Sequence, residues 1–276
     1  MNRILALALA LLCAPLSTAG AIDALERIRA RGVLVVSVKN AGDPDRAAHK
    51  DPAHFQKRDF EMALAREIAR RLLGDPARVE FRLMSKPRRL KALREAEVDL
   101  VLSMLSPDAE NLRVADFSAP YYELGGAVMQ RKGDAAIREA RDLPGRKLGL
   151  IARNEGLPAL LDGGAAGAPA SISFFDSFPA AAAALERKEI DGLFSEAVNI
   201  DIWLAGQQGR FERSPPLTRE PVAVAVGKGN PTLLDEVNAL IGELRASGRL
   251  EALAREHGLP PATAGQSFSP PLPPPP

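Results

Sequence analysis

Cysteine is almost absent: the 276 residues contain one, Cys13, and it stands inside an apolar N-terminal run. If that run is removed, neither a disulfide nor thiol catalysis is left. Long apolar runs are missing too. The stretch Ile4–Leu12 is short of the about 20 residues that span a bilayer, and no later segment approaches it. Nor is there an excess of one charge, with 36 basic against 35 acidic residues. That balance argues against a nucleic-acid or anionic-membrane binder, which carries a basic surplus. No nucleophile, oxyanion-hole or redox motif is evident, and no lytic-enzyme domain follows.

What is present begins with a leader. MNRILALALALLCAPLSTAGA carries Arg3, an apolar stretch and then small residues ending Ala19-Gly20-Ala21, the pattern of a secretory signal peptide cut after Ala21. Loss of Arg3 brings the basic count down to match the acidic one. A lipid anchor at Cys13 is the competing reading, but Ala10-Leu11-Leu12 lacks the small residues such a site prefers. The remaining chain is long enough for two domains of about 100–150 residues.

Strand-like and helix-like runs then alternate. The β-branched run from Val33 to Val38 precedes a helix in which Phe60, Leu64, Ile68 and Leu72 recur every fourth residue. Next come 79-VEFRLM-84, the basic helix 88-RRLKALREAE-97 and the strand 99-DLVLSM-104. This is the grammar of a mostly parallel sheet with helices on its faces. After 125-GGAVMQRKG-133 the pattern restarts with strand 147-KLGLI-151, helix 156-GLPALL-161, strand 171-SISFF-175, helix 178-FPAAAAALERK-188 and strand 191-DGLFS-195. Two tandem α/β units with a cleft between them are expected. A strand 221-PVAVAVGKG-229 leads into a helix with Asn230 as N-cap and Pro231 in its first turn, ended by Gly248. No third sheet can be completed after it, so this segment is expected to pack back on the first unit. The expected organisation is a signal peptide at 1–21, a first lobe of 22–122 plus 222–262, a second lobe of 123–221, and a Pro-rich disordered tail at 263–276.

These residues resemble the periplasmic solute-binding proteins of the polar amino-acid type, the bacterial extracellular solute-binding proteins of family 3. The likeness runs from about Gly32 to Gly258. It rests on 60-FEMALAREIARRL-72, on Val98-Asp99-Leu100 through Asp116-Phe117-Ser118-Ala119-Pro120-Tyr121-Tyr122, on 143-LPGRKLG-149 and on 228-KGNPTLLDEVN-238. The resemblance implies the type II periplasmic-binding-protein fold, two α/β lobes joined by two crossing strands. It also implies hinge closure on a small polar solute and delivery to an inner-membrane ABC permease by a monomer. It implies neither a cofactor nor a metal, no nucleic-acid partner, and a binding protein rather than an enzyme.

An amino acid needs donors for its carboxylate and an acceptor for its ammonium, because closure removes the water that would otherwise serve. By the resemblance Glu196 takes the ammonium place, and Asn154, with Arg153 beside it, takes the place of a donor at a helix start. Val38-Lys39-Asn40 and Lys86-Pro87-Arg88 are similar to acidic-solute binders, which would set Lys39 and Arg88 on a side-chain carboxylate. In the block 99-DLVLSMLSPDAENLRVADF-117, Ser103 and Ser106 are placed to donate hydrogen bonds. Asn111, however, stands where the family has the Arg that grips the α-carboxylate. Arg113 is two residues on, about 200° round a helix. Three readings stay open: the loop is remodelled so that Arg113 enters, Arg88 or Arg153 supplies the cation, or the ligand is not a standard α-amino acid.

Other roles are weaker. His49, Asp51 and His54 fit no helical metal spacing. An enzyme of the dehydratase kind on this scaffold, with Glu196 as acid or base, is the alternative function, and a solute-sensing partner of another envelope protein is a third.

Overall fold

The computed structural model describes residues 23–39, 52–134, 137–151, 169–207 and 209–260. In chain order the elements are α1 (Ala24–Arg31), β1 (Leu34–Lys39), α2 (Pro52–Leu73), β2 (Val79–Met84), α3 (Lys86–Arg94), β3 (Leu100–Val101), α4 (Asn111–Val114), β4 (Ala115–Phe117), β5 (Tyr122–Leu124) and β6 (Gly126–Arg131). Then follow β7 (Lys147–Ile151), β8 (Ser171–Phe175), α5 (Phe178–Glu186), β9 (Gly192–Glu196), α6 (Ala197–Ala205), β10 (Phe211–Arg213), β11 (Glu220–Val222), β12 (Ala225–Gly227), α7 (Pro231–Ala246) and α8 (Arg249–Glu256). Cys13 and the leader, His49, Arg153, Asn154, the expected helix at 156–161 and the Pro-rich tail lie outside the described residues.

β1 is the spine of the first sheet, ordered β2-β1-β3-β12-β4. Its apolar run is continuous because both faces are covered. Leu34, Val36 and Val38 pack with Phe60, Leu64, Ile68 and Leu72 of α2 and with the apolar stripe of α7. Val35 faces Ala92, Leu93 and Val101 on the other side. β1 runs parallel to β2 and β3, whereas β12 is antiparallel to β3 and β4. The second sheet, β10-β6-β9-β7-β8, repeats this plan: β7 is parallel to β8 and β9, and β6 is antiparallel to β9.

The expected single strand over 221–229 is two strands in two different sheets. β11 pairs antiparallel with β5, Tyr122 opposite Val222 and Leu124 opposite Glu220, and β12 enters the first sheet. The β5–β11 pair is where the chain passes between the sheets, giving two α/β lobes joined by two crossing strands. Backbone approaches closely there: a Cβ on Gly125 would lie 2.5 Å from the Thr218 carbonyl oxygen, so any larger residue forces the crossing apart.

Asn230 precedes α7 as expected but does not cap it with its side chain. Its Oδ1 instead accepts from the Ala24 amide at 2.9 Å, and its Nδ2 donates to the Gly227 carbonyl at 2.8 Å. The side chain is spent on fastening α1 to the β12–α7 turn, a tertiary demand that sequence spacing does not show.

Candidate functional site

In parallel sheets the strand carboxyl ends form the ligand-facing rim. In the first lobe this rim is the end of β1, the end of β2 and residues 102–104 after β3. In the second it includes the end of β9. The lobes touch on this side. α6, which follows β9, sets Val198 and Ile202 against the first-lobe core.

Two carboxylates occupy the rims. Glu61, in the buried stripe of α2 that also holds Ala65 and Ile68, is 1% exposed. It accepts from the Met104 amide and from the Tyr121 hydroxyl. Burial pushes its carboxyl from 4.5 up to about 7, against the Tyr121 and Met104 hydrogen bonds and the charges of Arg89 and Lys39, which pull it down. The same burial, with Glu61 alongside, pushes the Tyr121 phenol up. Tyr121 and Tyr122 both rest on Phe60, with ring centroids 6.0 and 5.7 Å away, which fixes the hydroxyl on Glu61. Met104 has a φ of 46°, uncommon for a non-glycine residue. The hydrogen bond from its backbone N–H to Glu61 holds that left-handed turn.

The second carboxylate is Glu196, at the junction of β9 and α6. The Lys57 ammonium of α2 donates to it across the gap between lobes and also donates to Asn199 Oδ1 at 2.9 Å. Neither Lys57 nor Asn199 was singled out from the sequence.

The remaining sequence candidates are placed as follows. Lys39 ends β1 beside Met84 of β2, and the β1–β3 register, continued two residues, brings it level with Ser103. Ser103 is 4% exposed and its Oγ is buried without a hydrogen-bond partner, as is Ser37 Oγ on β1. Ser106 Oγ donates to Glu220 Oε1 at 2.9 Å and so ties the loop to crossing strand β11. Asn111 spends its Nδ2 on the Ser106 carbonyl at 2.9 Å and on Asp108 at 3.0 Å, and its amide on Asp108 at 2.7 Å. Asn111 therefore shapes its own loop, and Arg113 beyond it is exposed. Arg88 lies along the surface of α3 with its guanidinium on Glu97 at 2.6 Å and Glu95 at 3.6 Å. The arginine turned inward is its neighbour Arg89, 6% exposed, whose Nε donates to the Met84 carbonyl at 3.1 Å. The structure thus brings Lys39, Ser103, Arg89 and Glu61 to the first rim and Lys57 and Glu196 to the junction, while Arg88 points elsewhere. Among the described residues no group of three or more His, Cys, Asp or Glu is placed to hold a metal, and no helix is long and apolar enough to cross a membrane.

Comparison with known proteins agrees with this architecture. The ABC transporter glutamine-binding protein of Bacillus subtilis is 25% identical over 237 residues, covering 85% of this chain and 84% of that protein. The L-cystine-binding protein of Escherichia coli K12 is 26% identical over 246 residues, covering 84% and 85%. Among solved structures, an ancestral cationic amino acid solute-binding protein superposes with a TM-score of 0.63 at 23% identity, over 84% of this chain and 98% of that one. The L-cysteine solute receptor of Neisseria gonorrhoeae gives 0.56 at 24% identity, over 84% and 92%. These likenesses in structure speak for the fold. The model of the bacterial extracellular solute-binding proteins, family 3, matches residues 48–260, and with its two lobes, double crossing and facing rims the chain belongs to that family.

Proposed function

We propose that the chain is the periplasmic substrate-binding component of an ABC importer, exported by the leader at 1–21 and acting as a monomer. It captures an amino acid or a related small polar solute between its lobes and hands it to an inner-membrane permease. The observation that carries this is the bridge from Lys57 to Glu196, which shows polar groups of the two lobes meeting at the strand-end rims. The printed ligands of the relatives, glutamine and cystine, support the solute class. Lys39, Arg89 and Ser103 supply donors on the first rim, and Asn154 remains a proposed donor from the second. A dehydratase acting through Glu196 is the less favoured reading, because the carboxylate is engaged by Lys57 and Asn199 lies alongside.

Thermal-shift screening of the mature protein against amino acids, organic acids and amines tests this. A solute that binds only the folded state raises the melting temperature by mass action. A saturable shift with the solute recovered unchanged is expected. Conversion of the solute would favour the enzyme, and no response to any compound would sink both.

A further inference from the structure

The acceptor expected for a ligand's ammonium is occupied by an ammonium of the chain itself. Lys57 Nζ donates to Glu196 and to Asn199 Oδ1. Its side chain is only 12% exposed, against 33% for Glu196, so the amine is drawn into the junction rather than left at the surface. A solute's α-ammonium offers the same charge and the same three donors. Glu196 keeps acceptor sites beyond the oxygen that Lys57 holds, but its charge is already balanced, so a solute's ammonium arriving there sets a second cation against the first. An amino group on the ligand therefore brings no electrostatic gain.

A solute without an amino group leaves the bridge intact. It meets cations on the first rim, where Lys39 and Arg89 both act on Glu61, and it can accept from Ser103 Oγ, which is buried with no partner. Resting on the solute-binding reading above, we propose that Lys57 sets the ligand class: it stands in for the α-ammonium, and the chain captures a small carboxylic acid lacking an amino group in preference to the amino acid of the same skeleton.

The test is titration calorimetry with thermal shift on the mature protein, Lys57→Met and Lys57→Arg. Each is titrated with the twenty amino acids and their 2-oxo and deaminated counterparts, such as glutamate against 2-oxoglutarate and glutarate. The wild type is expected to bind at least one deaminated acid about tenfold or more tighter than its amino acid, an order that Lys57→Met reverses. Lys57→Arg, which keeps a cation on Glu196, should retain the wild-type order; reversal in Lys57→Met with retention in Lys57→Arg is a pattern that a merely structural role would not produce. Lys57→Gln gives the same readout should Lys57→Met misfold. Tighter binding of the amino acid by the wild type, or an order unchanged in Lys57→Met, overturns the assignment while leaving solute binding intact. No response from any compound with any of these proteins overturns the solute-binding reading and this one together.

Discussion

Glu61 and Glu196 are the same residue type at the two rims, and their surroundings could hardly differ more. Glu61 is buried against Tyr121, accepts from one backbone amide and one phenol, and has its carboxyl raised to about 7. Glu196 is a third exposed and meets a lysine from the opposite lobe. The first carboxylate is therefore a fixture of one lobe, coupled to its fold. The second belongs to the junction, where opening the lobes must part it from Lys57. Burial converts an acid into a hydrogen-bonding core residue; a cation across a gap converts one into a clasp.

The comparison breaks most readily at Glu61. Glu61→Leu leaves the Tyr121 hydroxyl and the Met104 amide buried without an acceptor, which should cost about 3 kcal/mol at pH 5 by urea denaturation. A loss as small as that of an ordinary surface change would mean that Glu61 does not organise the first rim. The pH dependence follows from the same carboxyl. Between its ordinary value of 4.5 and its folded value of about 7, the folded chain holds a proton that the unfolded chain has released. Raising the pH through that window should therefore lower stability, by up to about 3 kcal/mol, with no further fall from this group above it. Denaturation midpoints measured from pH 4 upward should show that slope in the wild type and lose it in Glu61→Gln. Tyr121→Phe removes one donor and keeps the ring on Phe60, so a smaller loss of about 1 kcal/mol is expected. Smallest of all should be Lys57→Met, at no more than about 1 kcal/mol in the same assay, because the pair at Glu196 is partly solvated and screened. A larger loss there would make the clasp a folding element and erase the contrast between the two carboxylates.

Much of the fold could be read from pattern. The run from Val33 to Val38 is uniformly apolar because α2 and α3 cover both faces of β1, and the spacing of Phe60, Leu64, Ile68 and Leu72 matches the stripe that covers it. The 221–229 segment misled because its alternation is unbroken across a change of sheet; only pairing partners distinguish β11 from β12. The site was harder to read, although two of its signals were present. Arg89 stands three and four residues before Ala92 and Leu93, so helical spacing alone turns it inward and turns Arg88 toward Lys91 and Glu95. Glu61 lies four residues before buried Ala65 on an otherwise apolar stripe. The Lys57 contact had no such signal, since Lys57 and Glu196 are separated by 139 positions and belong to different lobes.

The β5–β11 pair has a consequence for how the chain can change. Because Leu124 lies opposite Glu220, the chain leaves for the strands of the second sheet and returns from them at one rung. In sequence the second lobe is thus an insert whose two ends are already neighbours, so its length and loops can vary with only a slowly growing cost of closing the excursion. Lys57, lying outside the insert, then acts as a fixed gauge: each remodelled second lobe is measured against the same lysine, and a lobe without an acid opposite it would present the solute with a bare cation.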